Sequence, residues 1–568
     1  MNRLPRCTDY GKNRENFRAG GNSPRCPKGI ISVFGPRGKT PRTDERKGIM
    51  TIALLLVYVA IMVGIGFYCR RHATDVNGFV LGGRAVGPWL TAFAYGTSYF
   101  SAVIFVGYAG QFGWKYGMAS TWVGLGNAFI GSLLAWVILG RRTRLMTQYL
   151  ESKTMPDFFG LRFGSRKLKL VASVITFIFL IPYTASLFNG LSRLFNMAFP
   201  GIDYTWCVVV MAILTAVYVI AGGYMATAIN DFIQGLIMIA GIAAIILAVL
   251  NVNGGLVGSM AELSKLSAET SAGTMQGAFT SFLGPDPGML LGVVILTSLG
   301  TWGLPQMVGK FYAIKDEDAV RKGTIISTLF AIIVAGGCYF LGGFGRLFLA
   351  ESDFSGVYDA IVPKMLEVSL SPALIAVVLI LVLSASMSTL SSLVLSSSST
   401  ITLDLINEAK KKKLGEKQKL NVLRSFVGVF IILSAAIAIL QYKSSIAFIA
   451  QMMGVSWGTL AGCFLAPFMY GLYWKKTTRG SVWAAFAWGL AVNLFELLVW
   501  TGNVKVSGAF MSYFFASPIN AGVLAMLGGM IVVPVVSMFT PKMDAKLVDN
   551  AFACYEKPTT VAQKENLG

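Results

Sequence analysis

Ser384-Ala385-Ser386-Met387-Ser388-Thr389-Leu390-Ser391-Ser392 lies within Val368 to Leu403, a run with no charged residue. The run exceeds the ~20 apolar residues needed to cross a bilayer and predicts a membrane-spanning helix. At 3.6 residues per turn, Ala385, Ser388, Thr389 and Ser392 stack on one face, setting hydroxyl and carbonyl oxygens in a stripe at membrane depth. Oxygen suits a hard cation such as sodium. Small hydroxylated residues also let two helices approach closely, the commoner use of such stripes.

The rest of the chain bears on which use applies. Hydrophobic residues make up 55% and charged residues 13% of the 568, with mean hydropathy +0.64; soluble domains carry roughly 25% charged residues. This is the composition of a multi-pass membrane protein. The seven cysteines show no paired metal or redox spacing, and the single histidine, His72, lies in a short basic loop. The net charge of +21 is divided among loops rather than gathered into a groove, which argues against nucleic acid as a partner. No nucleophile–base set falls at depth, so no enzyme and no organic cofactor are expected. The tail from Pro541 to Gly568 is too short for the signalling domain of a membrane sensor, while a passive channel stays open.

Uncharged runs predict thirteen spans, at 51–69, 88–114, 117–140, 170–192, 204–223, 225–251, 288–309, 324–345, 372–402, 425–442, 447–472, 481–501 and 515–538. Alternate connections from residue 50 onward hold 29 Lys and Arg on one side and 7 on the other. The positive-inside rule then places the C-terminus in the cytoplasm and the start of the first span outside, in the plasma (inner) membrane. Residues 1–49, with twelve basic and four acidic residues, read as a disordered tail at odds with that orientation, and the native product is expected to begin at Met50.

Two spans share a pattern. Tyr95-Gly96-Thr97-Ser98-Tyr99-Phe100-Ser101 and Leu299-Gly300-Thr301-Trp302-Gly303-Leu304-Pro305 each place Gly-Thr near mid-span, followed by an aromatic. Paired breaks in corresponding helices mark transporter sites, and the helices are expected to unwind within these two stretches. Asp231 precedes thirty uncharged residues and enters the membrane with its helix, either needing a partner or cation or remaining in cytoplasmic water. Glu496 is expected to be solvated near the outer end of its helix, and no Lys or Arg is expected at mid-membrane.

The order Leu81-Gly82-Gly83-Arg84, then Gly222-Gly223 with Asp231 and Gln234, then Ala385-Ser386-Met387-Ser388-Thr389-Leu390-Ser391 resembles the sodium:solute symporter family, closest to its bacterial sodium/proline and sodium/pantothenate members. The resemblance implies an all-α membrane protein with a leucine-transporter-type five-plus-five inverted repeat. Its parts are an extra helix at 50–70, repeats at 85–251 and 289–474 separated by an external loop at 252–288, two further helices at 475–540, and a cytoplasmic tail at 541–568. It also implies a main sodium site of the Thr97, Phe100 and Ala385 carbonyls with the Ser388 and Thr389 hydroxyls. A second sodium would use Asp231, Ser388, Ser391 and Ser392.

The resemblance places the solute between the broken helices and the third core helix, with Tyr95, Tyr99, Ser101, Tyr183, Thr297, Thr301, Trp302 and Gln306 as candidates. Tyr183 matches a tyrosine of the proline symporters, whereas Tyr99 and Thr297 replace their aspartate and tryptophan. Tyr99-Phe100-Ser101-Ala102, Gly303-Leu304-Pro305 and Lys315-Asp316 match the pantothenate symporters better. The expected solutes are proline or a related amino acid, then pantothenate or another monocarboxylate, then a sugar. The expected partners are that solute, sodium and the lipid bilayer.

Overall fold

The computed structural model describes residues 41–556 apart from Pro200, Ala272, Ser355, 411–412, 445–448 and Ala516. The chain divides into two units, residues 1–50 and 51–568. Of the first, residues 41–50 are described and are helical, so the disordered reading of the tail fails there. The remainder of that tail, residues 1–40, lies outside the described residues.

The second unit is helical almost throughout. Its principal helices are α1 (Ile52–Cys69), α2 (Pro88–Tyr99), α3 (Val103–Tyr149), α4 (Arg166–Ala198), α5 (Tyr204–Val252), α6 (Pro287–Leu299), α7 (Pro305–Tyr312), α8 (Glu317–Leu347), α9 (Ala373–Ala409), α10 (Glu416–Ser444), α11 (Ile449–Tyr473), α12 (Arg479–Trp500) and α13 (Pro518–Phe539). Local sequence sets many starts. Ser165, Asp203, Asp286 and Asp316 accept first-turn amides, and Thr478 with Ser481 forms a capping box. Proline opens α2, α6, α7 and α13, where its missing N–H costs no helix bond.

Ten helices are long and apolar enough to cross a membrane, eleven with the bent pair α6–α7 taken as one, among the described residues. The difference from thirteen arises where the structure joins runs that the sequence separates. Spans 117–140 and the later part of 88–114 meet in α3, and spans 204–223 and 225–251 meet in α5. Each joined run is more than twice the ~20 residues of one crossing and carries one left-handed glycine. Gly117 has φ 59°, and Gly223 has φ 56° and ψ −147°. A Cβ at Gly117 would lie 2.2 Å from the Phe279 carbonyl oxygen, and one at Gly223 2.7 Å from that of Phe79, so both conformation and space call for glycine. Beyond the break in α5 both arms lie against α9: Tyr218 donates to the Met387 carbonyl at 2.7 Å, and Gly241 abuts Leu381.

Burial separates the centre from the rim. In α11, 94% of the apolar stretch is buried and in α9 72%, against 22% in α1 and 33% in α13. Leu56 on α1, Leu247 on α5 and Ile531 on α13 face outward, as lipid-facing residues do. The loop before α6 departs from the all-α expectation, because Ser267–Thr270 pairs antiparallel with Gly273–Gln276.

The start of α2 is fastened to the end of α7. After the short helix Val76–Leu81, Gly82, Gly83 and Arg84 all have positive φ. This turn sends the buried Arg84 guanidinium to the carbonyls of Tyr312 (3.2 Å), Thr147 (3.4 Å) and Ser152 (2.5 Å). Burial pulls Arg84 down to about 10. Val86 then exchanges backbone hydrogen bonds with Ala313 and Lys315.

Candidate functional site

Both broken helices break in the same way. Phe100 ends α2 with φ −86° and ψ 124°, and Leu304 separates the 3₁₀ turn Gly300–Gly303 from α7 with φ −88° and ψ 121°. The α6–α7 bend is 47°. The unwinding expected within these two stretches occurs at Phe100 and Leu304, each four residues after the glycine. Gly96 is a packing residue, since a Cβ there would lie 2.5 Å from the Phe330 ring. Pro305 disfavours helical backbone at Leu304, and Ser101 Oγ accepts the Val103 amide at 3.2 Å, restarting the chain after Phe100.

At the first break the serine stripe of α9 meets the freed backbone. Ser388 Oγ lies 3.1 Å from the Thr97 carbonyl oxygen and 2.9 Å from that of Ala385. Thr389 Oγ1 lies 3.1 Å from the Thr97, 3.2 Å from the Phe100 and 3.1 Å from the Ala385 carbonyl oxygens. All five residues are buried. Two hydroxyl protons cannot satisfy all these contacts, because each hydroxyl has one proton and Thr389 alone faces three carbonyls. The surplus of neutral, hard acceptor oxygens fits a monovalent hard cation.

One turn along the stripe the expectation needs correcting. Asp231 is buried and faces an ammonium: Lys310 Nζ lies 3.6 Å from its Oδ2. Lys310 is itself buried and donates to Ser392 Oγ at 2.9 Å, and Ser392 Oγ lies 2.7 Å from Ser98 Oγ on α2. So a lysine is buried beside Asp231, and Asp231 is enclosed by protein rather than bathed in cytoplasmic water. Lys310 follows the last residue of an apolar run and reads as loop, but α7 continues to Tyr312 and carries it inside. Ser391 bonds the Ser388 carbonyl of its own helix at 2.9 Å. Glu496, expected to be solvated, is also buried on α12, and neither of its carboxylate oxygens has a hydrogen bond among the described residues.

The eight solute candidates separate into four groups. Tyr95 and Thr301 bond the Gly131 carbonyl (2.8 and 3.3 Å) and Trp302 that of Ile130 (3.0 Å), which ties the broken helices to α3; Thr297 bonds Val293 of its own helix. The buried hydroxyls of Tyr99 and Tyr183 make no hydrogen bond among the described residues, and both rings pack on Trp457, with centroids 5.8 and 5.7 Å away. Ser101 follows the first break. Gln306, whose amide atoms make no hydrogen bond among the described residues, lines a different cleft with Lys310, Lys153 and Ser392. Trp457, whose indole N–H is also unbonded, escapes the sequence reading. Its one sequence signal is a lone tryptophan between glycines, Gly454-Val455-Ser456-Trp457-Gly458, in an uncharged span.

Known proteins are similar to this chain. A model of the sodium:solute symporter family matches residues 79–489. The osmoregulated proline transporter OpuE of Bacillus subtilis is 29% identical over 522 residues, covering 90% of this chain and 98% of that protein. Sodium/proline symporter 2 of Staphylococcus saprophyticus is 28% identical over 84% of this chain and 90% of its own length. A solved sodium-coupled sialic acid symporter, substrate-bound and outward-open, shares the fold with TM-score 0.67 at 17% identity, covering 87% of this chain and 98% of that one.

Proposed function

The chain belongs to the sodium:solute symporter family, and we propose that it imports a proline-like amino acid with sodium by alternating access. The family is one of transporters, coupled to sodium and embedded in the membrane through many helices. The cluster of Thr97, Phe100, Ala385, Ser388 and Thr389 carries the ionic half of the proposal, since its oxygens outnumber the protons available to them. The solute half is supported by the buried polar atoms of Tyr99, Tyr183 and Trp457, which make no hydrogen bond among the described residues, with Ser101 beside them, and by the proline transport named for relatives. An indole face suits the ammonium of an amino acid and the aromatic walls its apolar body. The carboxylate would use amides freed at the breaks, or sodium itself.

The matching breaks at Phe100 and Leu304 support thirteen crossings, with 85–251 and 289–474 as inverted five-helix repeats of the leucine-transporter type. The positive-inside rule supports a cytoplasmic C-terminus and an outer start of the first span. One sodium moving inward across 100 mV yields about 2.3 kcal/mol before any concentration gradient. For that energy to drive solute uptake, sodium must favour the outward-open arrangement over the inward one. Bound between α9 and the first break, it would hold Thr97–Phe100 in shape and fix the Tyr99 ring facing the solute.

A second reading, pantothenate or another monocarboxylate, is favoured by the side chains of Tyr99, Tyr183 and Trp457, which offer hydroxyls and an indole but no carboxylate for an ammonium. Uptake of radiolabelled L-proline, pantothenate and glucose into proteoliposomes separates these readings. The proposal expects proline accumulation under an inward sodium gradient and not under a potassium or proton gradient. Accumulation of pantothenate alone would establish the second reading, and flux that ignores sodium would return the serine stripe to helix packing.

A further inference from the structure

Beside the candidate sodium ligands lies a charge pair that no part of the sodium cluster uses. Lys310 comes from α7 and Asp231 from the second arm of α5, and both are enclosed, at 3% and 0% exposure. Nζ is 3.6 Å from Asp231 Oδ2 and 2.9 Å from Ser392 Oγ, with the Tyr224 ring centroid 5.2 Å away. Through Ser392 the network reaches Ser98 at 2.7 Å, the residue after the Thr97 carbonyl. Neither Asp231 oxygen has a hydrogen bond among the described residues, so the ammonium is the charge that faces it there.

We infer that Lys310 is a resident cation: its tethered ammonium fills the place between Asp231 and Ser392 that a second sodium would take, so the chain binds one sodium. This rests on the sodium cluster proposed above. An ammonium is a compact, strongly charged donor that takes carboxylate and hydroxyl oxygens as partners, the same atoms that sodium would choose. With it in place the site is neutral. A sodium added there would leave a net positive charge in surroundings that do not solvate it. With the ammonium gone, a buried carboxylate and the Ser392 and Ser98 hydroxyls remain, which is a donor set for a monovalent cation.

Equilibrium binding of radioactive sodium to the purified full chain, in the absence of solute, counts the sites. One sodium is expected for the wild type and for Lys310→Arg, two for Lys310→Met, and one again when Asp231→Asn is added to Lys310→Met. Two sodium ions on the wild type, or one on folded Lys310→Met, would overturn the inference. Should Lys310→Met fail to fold, Asp231→Asn alone decides: sodium affinity like that of the wild type supports the tethered cation, and weakened binding makes Asp231 a sodium ligand and ends it. A wild type that binds no sodium at all would instead end the proposed function.

Discussion

Phe100 and Leu304 leave the helical region at almost the same backbone angles, −86°, 124° and −88°, 121°, each four residues after the glycine of a Gly-Thr pair. One break is followed by Ser101 and the other by Pro305, so different chemistry produces one geometry. The first break meets the serine stripe of α9 through its carbonyls, whereas α7 reaches the stripe through Lys310, so the pair is symmetric in backbone and asymmetric in ligands.

Removing either stripe hydroxyl should be felt as sodium affinity. Ser388→Ala and Thr389→Ala are each expected to raise the sodium concentration for half-maximal uptake at least tenfold, about 1.4 kcal/mol. Ser434→Ala, on α10, changes a buried hydroxyl outside the cluster and is expected to leave that concentration unaltered. Equal effects at all three positions would count against the cluster.

Tyr183→Phe deletes a buried hydroxyl that meets the hydrogen-bond criteria with no group among the described residues, while keeping the ring on Trp457. It is expected to raise the KM for the solute about tenfold, in the range of one hydrogen bond, with sodium binding in the absence of solute unchanged. Trp457→Phe, which loses the indole N–H and the larger face, is expected to act in the same direction. A change in sodium binding alone would move both residues out of the solute pocket.

Glycines are predicted to differ by their surroundings. Gly223→Ala places a Cβ 2.7 Å from the Phe79 carbonyl at a φ of 56°, and a loss of roughly 1–3 kcal/mol of stability is expected from overpacking, with strain in addition. Gly428 on α10 has nothing within 4 Å of its Cβ position, so Gly428→Ala is expected to be neutral or to stabilise by up to about 1 kcal/mol. Thermal unfolding of the two purified variants in detergent makes the comparison.

The stripe itself was legible because hydroxyls in an uncharged run have few uses, and helical spacing alone puts Ser388 and Thr389 together. The facing carbonyls of Thr97 and Phe100 came from family resemblance, and the structure sets them within 3.2 Å. What misled was any feature decided by neighbours. Gly96 reads as a breaker but makes room for Phe330. Lys310 reads as a loop residue because charge ends an apolar run, while its burial depends on α7 continuing to Tyr312. Glu496 likewise looks peripheral along its own helix and is enclosed by the helices around it. Trp457 carries no local sign that two tyrosines converge on it from α2 and α4. The separate spans of α3 and α5 look clear in sequence, yet in each the connection is little more than a turn around one glycine.

The fastening of Arg84 and Val86 to residues 312–315 lies at one end of the half-helices α2 and α7, and the Lys310–Ser392–Ser98 link lies further along them. Held at the foot and linked again above it through Ser392 of α9, α2 and α7 are expected to move as a single lever. Spin labels placed on these two half-helices should report one narrow distance distribution, with or without sodium and solute. A lever of this kind transmits rotation without bending, so ion-driven motion at Thr97 would reach the far end of α7 undiminished.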